Sequence, residues 1–102
     1  MTNSILRTVI RVMAEITVTR TGDKAFRVEV KEGASTTTHN VTVSVADIQR
    51  YGGDASAECL ITASFEFLLE REPKESILPS FELPVIERYF PEYPSEIRTR
   101  LA

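Results

Sequence analysis

The sequence is poor in the residues from which most active sites are built. It holds one cysteine, Cys59, and one histidine, His39. A single cysteine closes no internal disulfide, and one Cys with one His falls short of the three or four side chains that a zinc site takes. A chain without a disulfide framework suits a reducing compartment, and it is read as cytoplasmic. No run approaches the roughly 20 apolar residues of a membrane-spanning helix, so no membrane partner is expected. The stretch SILRTVIRVMAEI carries two arginines and lacks both the continuous apolar run and the small-residue cleavage site of a secretion signal. No Gly-x-Gly-x-x-Gly or P-loop pattern follows a strand, and the lone diglycine Gly52-Gly53 is read as a helix stop. No cofactor is expected. Internal repeats and low-complexity tracts are lacking too, which leaves no domain boundary to place.

Charge of one sign is also scarce. The formal net charge is −3, with seven Lys/Arg against five Asp/Glu in residues 1–50 (+2) and five against ten in residues 51–102 (−5). A half at +2 is too weak to be a nucleic-acid footprint by itself, and a half at −5 disfavours phosphate contacts. With 102 residues, 42% of them hydrophobic, the chain is sized for one core.

What is present is alternation, then proline. Ile16 and Val18 point one way and Thr17 and Thr19 the other, the period of a strand. Thr21-Gly22-Asp23-Lys24 supplies a turn, after which Phe26, Val28 and Val30 alternate with Arg27, Glu29 and Lys31. Glu32-Gly33-Ala34-Ser35 is a second turn, and Val41, Val43 and Val45, alternating with Thr42 and Ser44, continue the pattern on a third strand. These strands share one apolar face that needs a cover, and only the C-terminal half can provide it. Ser44-x-x-Asp47 has the spacing of a capping box opening a short helix, Val45 to Tyr51. Asp54 or Ser56 caps a longer helix over Ser56–Arg71, which Pro73 ends by disfavouring helical geometry at Glu72.

From Ser64 to Pro94 the chain holds four of the five Phe and all five Pro. Glu75 to Ser80 is read as a turn or short helical piece, Pro84 as the first residue of a helix to Tyr89, and Pro91 and Pro94 as redirecting the chain before a last turn with Ile97 and Leu101. The run EFLLEREPKESIL, followed by F-x-L-x-VI-x-RYFPEY, resembles a small family of bacterial proteins with no established activity. The resemblance runs from near Met13 to near Ile97. It implies one intact domain and transfers no cofactor, partner or catalytic residue.

Several residues are candidates for chemistry, and each has a plainer structural explanation. His39 is read as a half-exposed strand residue and Cys59, in the first turn of the long helix, as core packing. Glu66, Glu70, Arg71, Glu72, Lys74 and Glu75 surround Pro73 and are read as an ion-pair network holding that corner, with Arg71, Lys74 or Arg88 as the cation. Arg88, Tyr89, Phe90 and Tyr93 are either core or an aromatic contact patch, the content interfaces use. Arg20, Lys24, Arg27 and Lys31 on the first hairpin are the alternative surface, for weak nucleic-acid contact, against the reading as an ordinary solvated face.

The expected architecture is α+β: a three-stranded antiparallel meander covered on one face by one long helix and short proline-broken C-terminal helices. Residues 13–102 form that single domain, with residues 1–12 a poorly ordered extension and Met13 the natural start. The expected function is that of a non-enzymatic interaction or regulatory module. It binds another protein or itself through the RYFPEY region or the free edge of the sheet.

Overall fold

Alternating β-branched residues form the strands where the sequence places them. The computed structural model describes residues 14–102, and the expectations for residues 1–12 and for Met13 lie outside these. Strands β1 (Glu15–Arg20), β2 (Ala25–Glu32) and β3 (Ser35–Thr42) pair antiparallel in sequence order, with Val18 opposite Val28 and Phe26 opposite Val41. Only two residues, Gly33 and Ala34, separate β2 from β3, and positive φ falls at Gly33 alone. That is the type II′ pattern, whose twist matches the strands it joins. Phe26, Val28, Val30, Val41 and Val43 are buried on one face, with Ile16 and Val18 packed at its margin.

A fourth strand corrects the three-stranded expectation. β4 (Ser80–Glu82) lies parallel to β3, with Val41 opposite Phe81. Buried backbone groups need partners, and the outer edge of β3 finds them here: Asn40 N–H donates to Pro79 C=O at 2.8 Å and Leu83 N–H to Thr42 C=O at 3.0 Å. Three residues are too few to show a period of two, which is why the pattern hides this strand.

The covering layer is shared among helices. Helix α1 (Val45–Asp47) opens with a true capping box, Asp47 N–H to Ser44 Oγ at 3.1 Å and Ser44 N–H to Asp47 Oδ2 at 3.0 Å. It runs on as wider π-type turns over Ile48–Gly52, which turn Tyr51 fully into the core, and stops at Gly53, whose φ of 61° a side chain would resist. Ser56 caps α2 (Ala57–Leu69), the Cys59 N–H donating to Ser56 Oγ at 3.1 Å. The expected single long helix over Ser56–Arg71 is thus thirteen residues ending at Leu69, and α3 (Val85–Tyr89) and α4 (Tyr93–Leu101) share the cover. Pro94 does not stop the chain. It occupies the second position of α4, where its missing N–H has no intrahelical partner to lose.

The core lies between the apolar sheet face and these helices. Phe65 contacts Phe81 at 6.1 Å between ring centroids, Phe67 contacts Tyr93 at 5.3 Å, and Tyr51 contacts Tyr93 at 5.0 Å. Among the described residues no helix is long and apolar enough to cross a membrane.

Candidate functional site

The corner after α2 begins as a matter of capping. The N–H groups of Arg71 and Glu72 both donate to Leu68 C=O at 2.9 Å, and Pro73, extended at φ −68° and ψ 156°, turns the chain into a single 3-10 turn, Lys74–Ser76. Ile77 is buried behind this turn, whereas Leu78 is left 41% exposed. The Leu78 carbonyl faces inward and accepts from His39 Nδ1–H at 2.8 Å. A carbonyl only accepts, so Nδ1 carries a proton, and Nε2 shares a 2.9 Å hydrogen bond with Thr37 Oγ1, a hydroxyl that can donate or accept. His39 is therefore not half-exposed. It is 2% exposed against Phe65 and ties β3 to the corner. Its place on the inward face follows from the register, two residues before Val41.

Four of the six charged residues expected to form a network around Pro73 do so, Glu70, Arg71, Lys74 and Glu75, together with an unforeseen cation; Glu66 and Glu72 make no ion pair among the described residues. Arg71 pairs with Glu92 at 3.0 Å and with Glu70 at 3.6 Å, and stacks over Phe67 at 3.6 Å from the ring centre. Arg100 of α4 also pairs with Glu70. Lys74 is buried between Glu75 at 2.8 Å and Glu32 at 3.4 Å, so it clasps the corner to the end of β2. Arg88, named as a candidate cation, points to solvent instead.

The aromatic candidates separate. Tyr93 is fully buried, the core alternative of its two readings, and so drops out of the candidate contact patch. The Ser64 hydroxyl donates to Leu60 C=O at 2.7 Å, so the Tyr93 hydroxyl, 2.6 Å away, donates to Ser64 Oγ. Burial holds its phenol well above the ordinary range, and burial with the 2.7 Å hydrogen bond to Glu87 pushes Tyr51 up to about 12. Tyr89, by contrast, is 66% exposed, Arg88 is exposed, and Phe90 is half-buried with its ring edge-on to Phe67. Periodicity explains the split: Ile86 faces the core, and Tyr93 begins a new helix whose Ile97, four residues on, is buried beside it.

Between the corner, β4 and α3 lies an open groove of about 190 Å³. Ile77, Leu78, Phe81, Val85, Tyr89 and Phe90 line it, and Glu72 is its one carboxylate. Burial alone raises the Glu72 carboxyl above its ordinary value. Leu78 and Tyr89 are two of the three large hydrophobic side chains exposed among the described residues, and both stand at this groove. The sequence reading took Leu78 only as an apolar anchor and Glu72 only as a member of the charged cluster, and placed neither beside the aromatic candidates. The available signal was that both flank prolines, where a short chain segment leaves a helix axis before its side chains can turn inward.

The remaining candidates lie elsewhere. Cys59 is exposed in the first turn of α2, against the packing expectation. Arg27 and Lys31 stand on the solvated sheet face with Glu29 between them and Glu15 directly across from Lys31. Arg20 donates to Asp23 C=O at 2.7 Å and stacks over Phe26, and Lys24 is exposed in the turn. Glu15 and Glu29 thus interleave with Arg27 and Lys31, which makes that face charge-mixed. Arg20, opposite Phe26 in the register, lies on the other face, and the four cations form no single basic surface. Among the described residues no three His, Cys, Asp or Glu side chains are grouped to hold a metal ion. No protein-family model, curated protein or solved structure matches the chain, so the reading of the site rests on its geometry.

Proposed function

We propose that the domain is a non-enzymatic protein-interaction module whose contact surface is the groove between the Pro73 corner, β4 and α3. The observation supporting this is the pairing of a preformed apolar groove with exposed Leu78 and Tyr89 at its margin. Scattered single hydrophobics on a surface need no explanation, but apolar side chains gathered around a concavity are what docking surfaces present. The groove walls are tied to the rest of the domain at three points. His39 holds the Leu78 carbonyl, Lys74 anchors the corner to Glu32, and Phe90 packs on Phe67. A preorganised surface loses little freedom on binding.

A photo-crosslinking amino acid placed at Leu78 or Tyr89 in cells is expected to yield a discrete adduct. The same group at Thr38, on the solvated sheet face, is expected to yield none. Equal labelling from all three positions, or labelling from none, overturns the reading. Light scattering over a range of protein concentrations distinguishes a foreign partner from self-association.

A further inference from the structure

We infer that the groove takes a protein segment presenting one large apolar side chain with a lysine or arginine directly beside it. The inference rests on the contact role proposed above and adds the chemistry of the partner.

Size sets the apolar part. A cavity of about 150 Å³ holds a benzene-sized group, so about 190 Å³ admits one leucine or phenylalanine side chain. Eight apolar residues line it, and exposed Leu78 and Tyr89 extend the apolar surface past the cavity, so the fitting ligand is longer than one side chain. Glu72 sets the charge. Of the other acids at the corner, Glu70 is matched by Arg71 and Arg100, Glu92 by Arg71 and Glu75 by Lys74, while Glu66 stands on the exposed side of α2 and does not line the groove. No cation among the described residues is set against Glu72, whose carboxyl responds to desolvation alone.

A neutral ligand filling the groove would remove more water from this carboxylate and return nothing, and an anionic one would be repelled. A cation beside the apolar anchor offsets the lost hydration, and the open face of Tyr89 offers it a second favourable contact. A second copy docking through its own C-terminal half is a poor match, because that half, like this one, carries ten acidic residues against five basic.

The test is amide chemical-shift mapping of the full chain at pH 7 with two probes of one apolar body and opposite charge, phenethylamine and 3-phenylpropionate. Both are expected to shift the Leu78, Tyr89 and Phe90 amides, with phenethylammonium about fivefold tighter, the range of a solvent-accessible ion pair. Glu72→Gln is expected to bring the two affinities within twofold, and Glu66→Gln, on the exposed side of α2, to preserve the difference. Equal wild-type affinities, a preference for 3-phenylpropionate, or an unchanged preference in Glu72→Gln overturns the cation while leaving the apolar groove as a docking surface. Absence of groove shifts with either probe overturns both this inference and the proposed function. Groove shifts that depend on protein concentration alone assign the site to a second copy and overturn the foreign cationic partner.

Discussion

At the scale of single residues, two tyrosines four positions apart in one motif have opposite roles. Tyr89 lies on the surface, and Tyr93 is enclosed with its hydroxyl on Ser64. Tyr93→Phe removes one buried hydrogen bond and is expected to cost about 0.5–1.5 kcal/mol. Tyr93→Ala also opens a cavity and is expected to cost about 3–5 kcal/mol. Tyr89→Ala is expected to change stability by no more than about 0.5 kcal/mol while removing part of the groove wall. Urea unfolding midpoints of the three variants check the order. A large loss in Tyr89→Ala would place that ring in the core and remove it from the contact surface.

At the scale of elements, the groove exists because β4 is where it is. The β3 edge draws the Pro79–Leu83 segment alongside through the parallel ladder and a backbone bond at each end of it, and His39 fastens the preceding residue, Leu78. This was half legible. Ile77, Leu78 and Phe81 were recognisable as apolar anchors, but which of them turns inward depends on a three-residue strand that no period reveals. His39→Ala leaves a void and an unpaired carbonyl and is expected to cost about 2–4 kcal/mol. The loss is expected to be local first. Hydrogen exchange at the Asn40 and Leu83 amides should accelerate more than at Val28, in the centre of the sheet. Uniform acceleration would show that His39 supports the whole sheet rather than the β4 edge.

At the scale of the molecule, stability depends on pH through groups with opposing effects. Glu75 is held below the ordinary value of 4.5 by the hydrogen bond from Lys74, and Glu92 by its own backbone N–H and then Arg71. Between their folded values and 4.5 the unfolded chain binds more protons. Their contribution is therefore complete above pH 4.5 and lost as pH falls through the folded values. Glu72 is raised by burial, so its ionisation costs stability as pH climbs from 4.5 through its folded value. Glu72→Gln is expected to raise the unfolding midpoint at pH 7 slightly, within about 0.5 kcal/mol. It is also expected to steepen the loss of stability between pH 7 and pH 3, because only the destabilising protonations remain. A variant that loses less stability than the wild type on acidification would reverse the sign assigned to Glu72.

The sequence by itself determined the local structure: where β1, β2 and β3 run, which of their faces is apolar, that Ser44 caps one helix and Asp54 or Ser56 the next, and that Gly52-Gly53 ends the first. Those outcomes rest on side-chain period, backbone freedom and hydrogen bonds within a few residues, all of which are written along the chain. Only the tertiary structure decided that β4 completes the sheet, that His39 and Tyr93 are buried, that Cys59 is exposed, and that Arg100 rather than Arg88 joins the corner. Each of these depends on which distant surface a side chain meets, as when Arg100 reaches Glu70 thirty positions earlier. The groove belongs to the second group. It is the space left where a corner, a short strand and a five-residue helix, each locally unremarkable in sequence, are brought side by side.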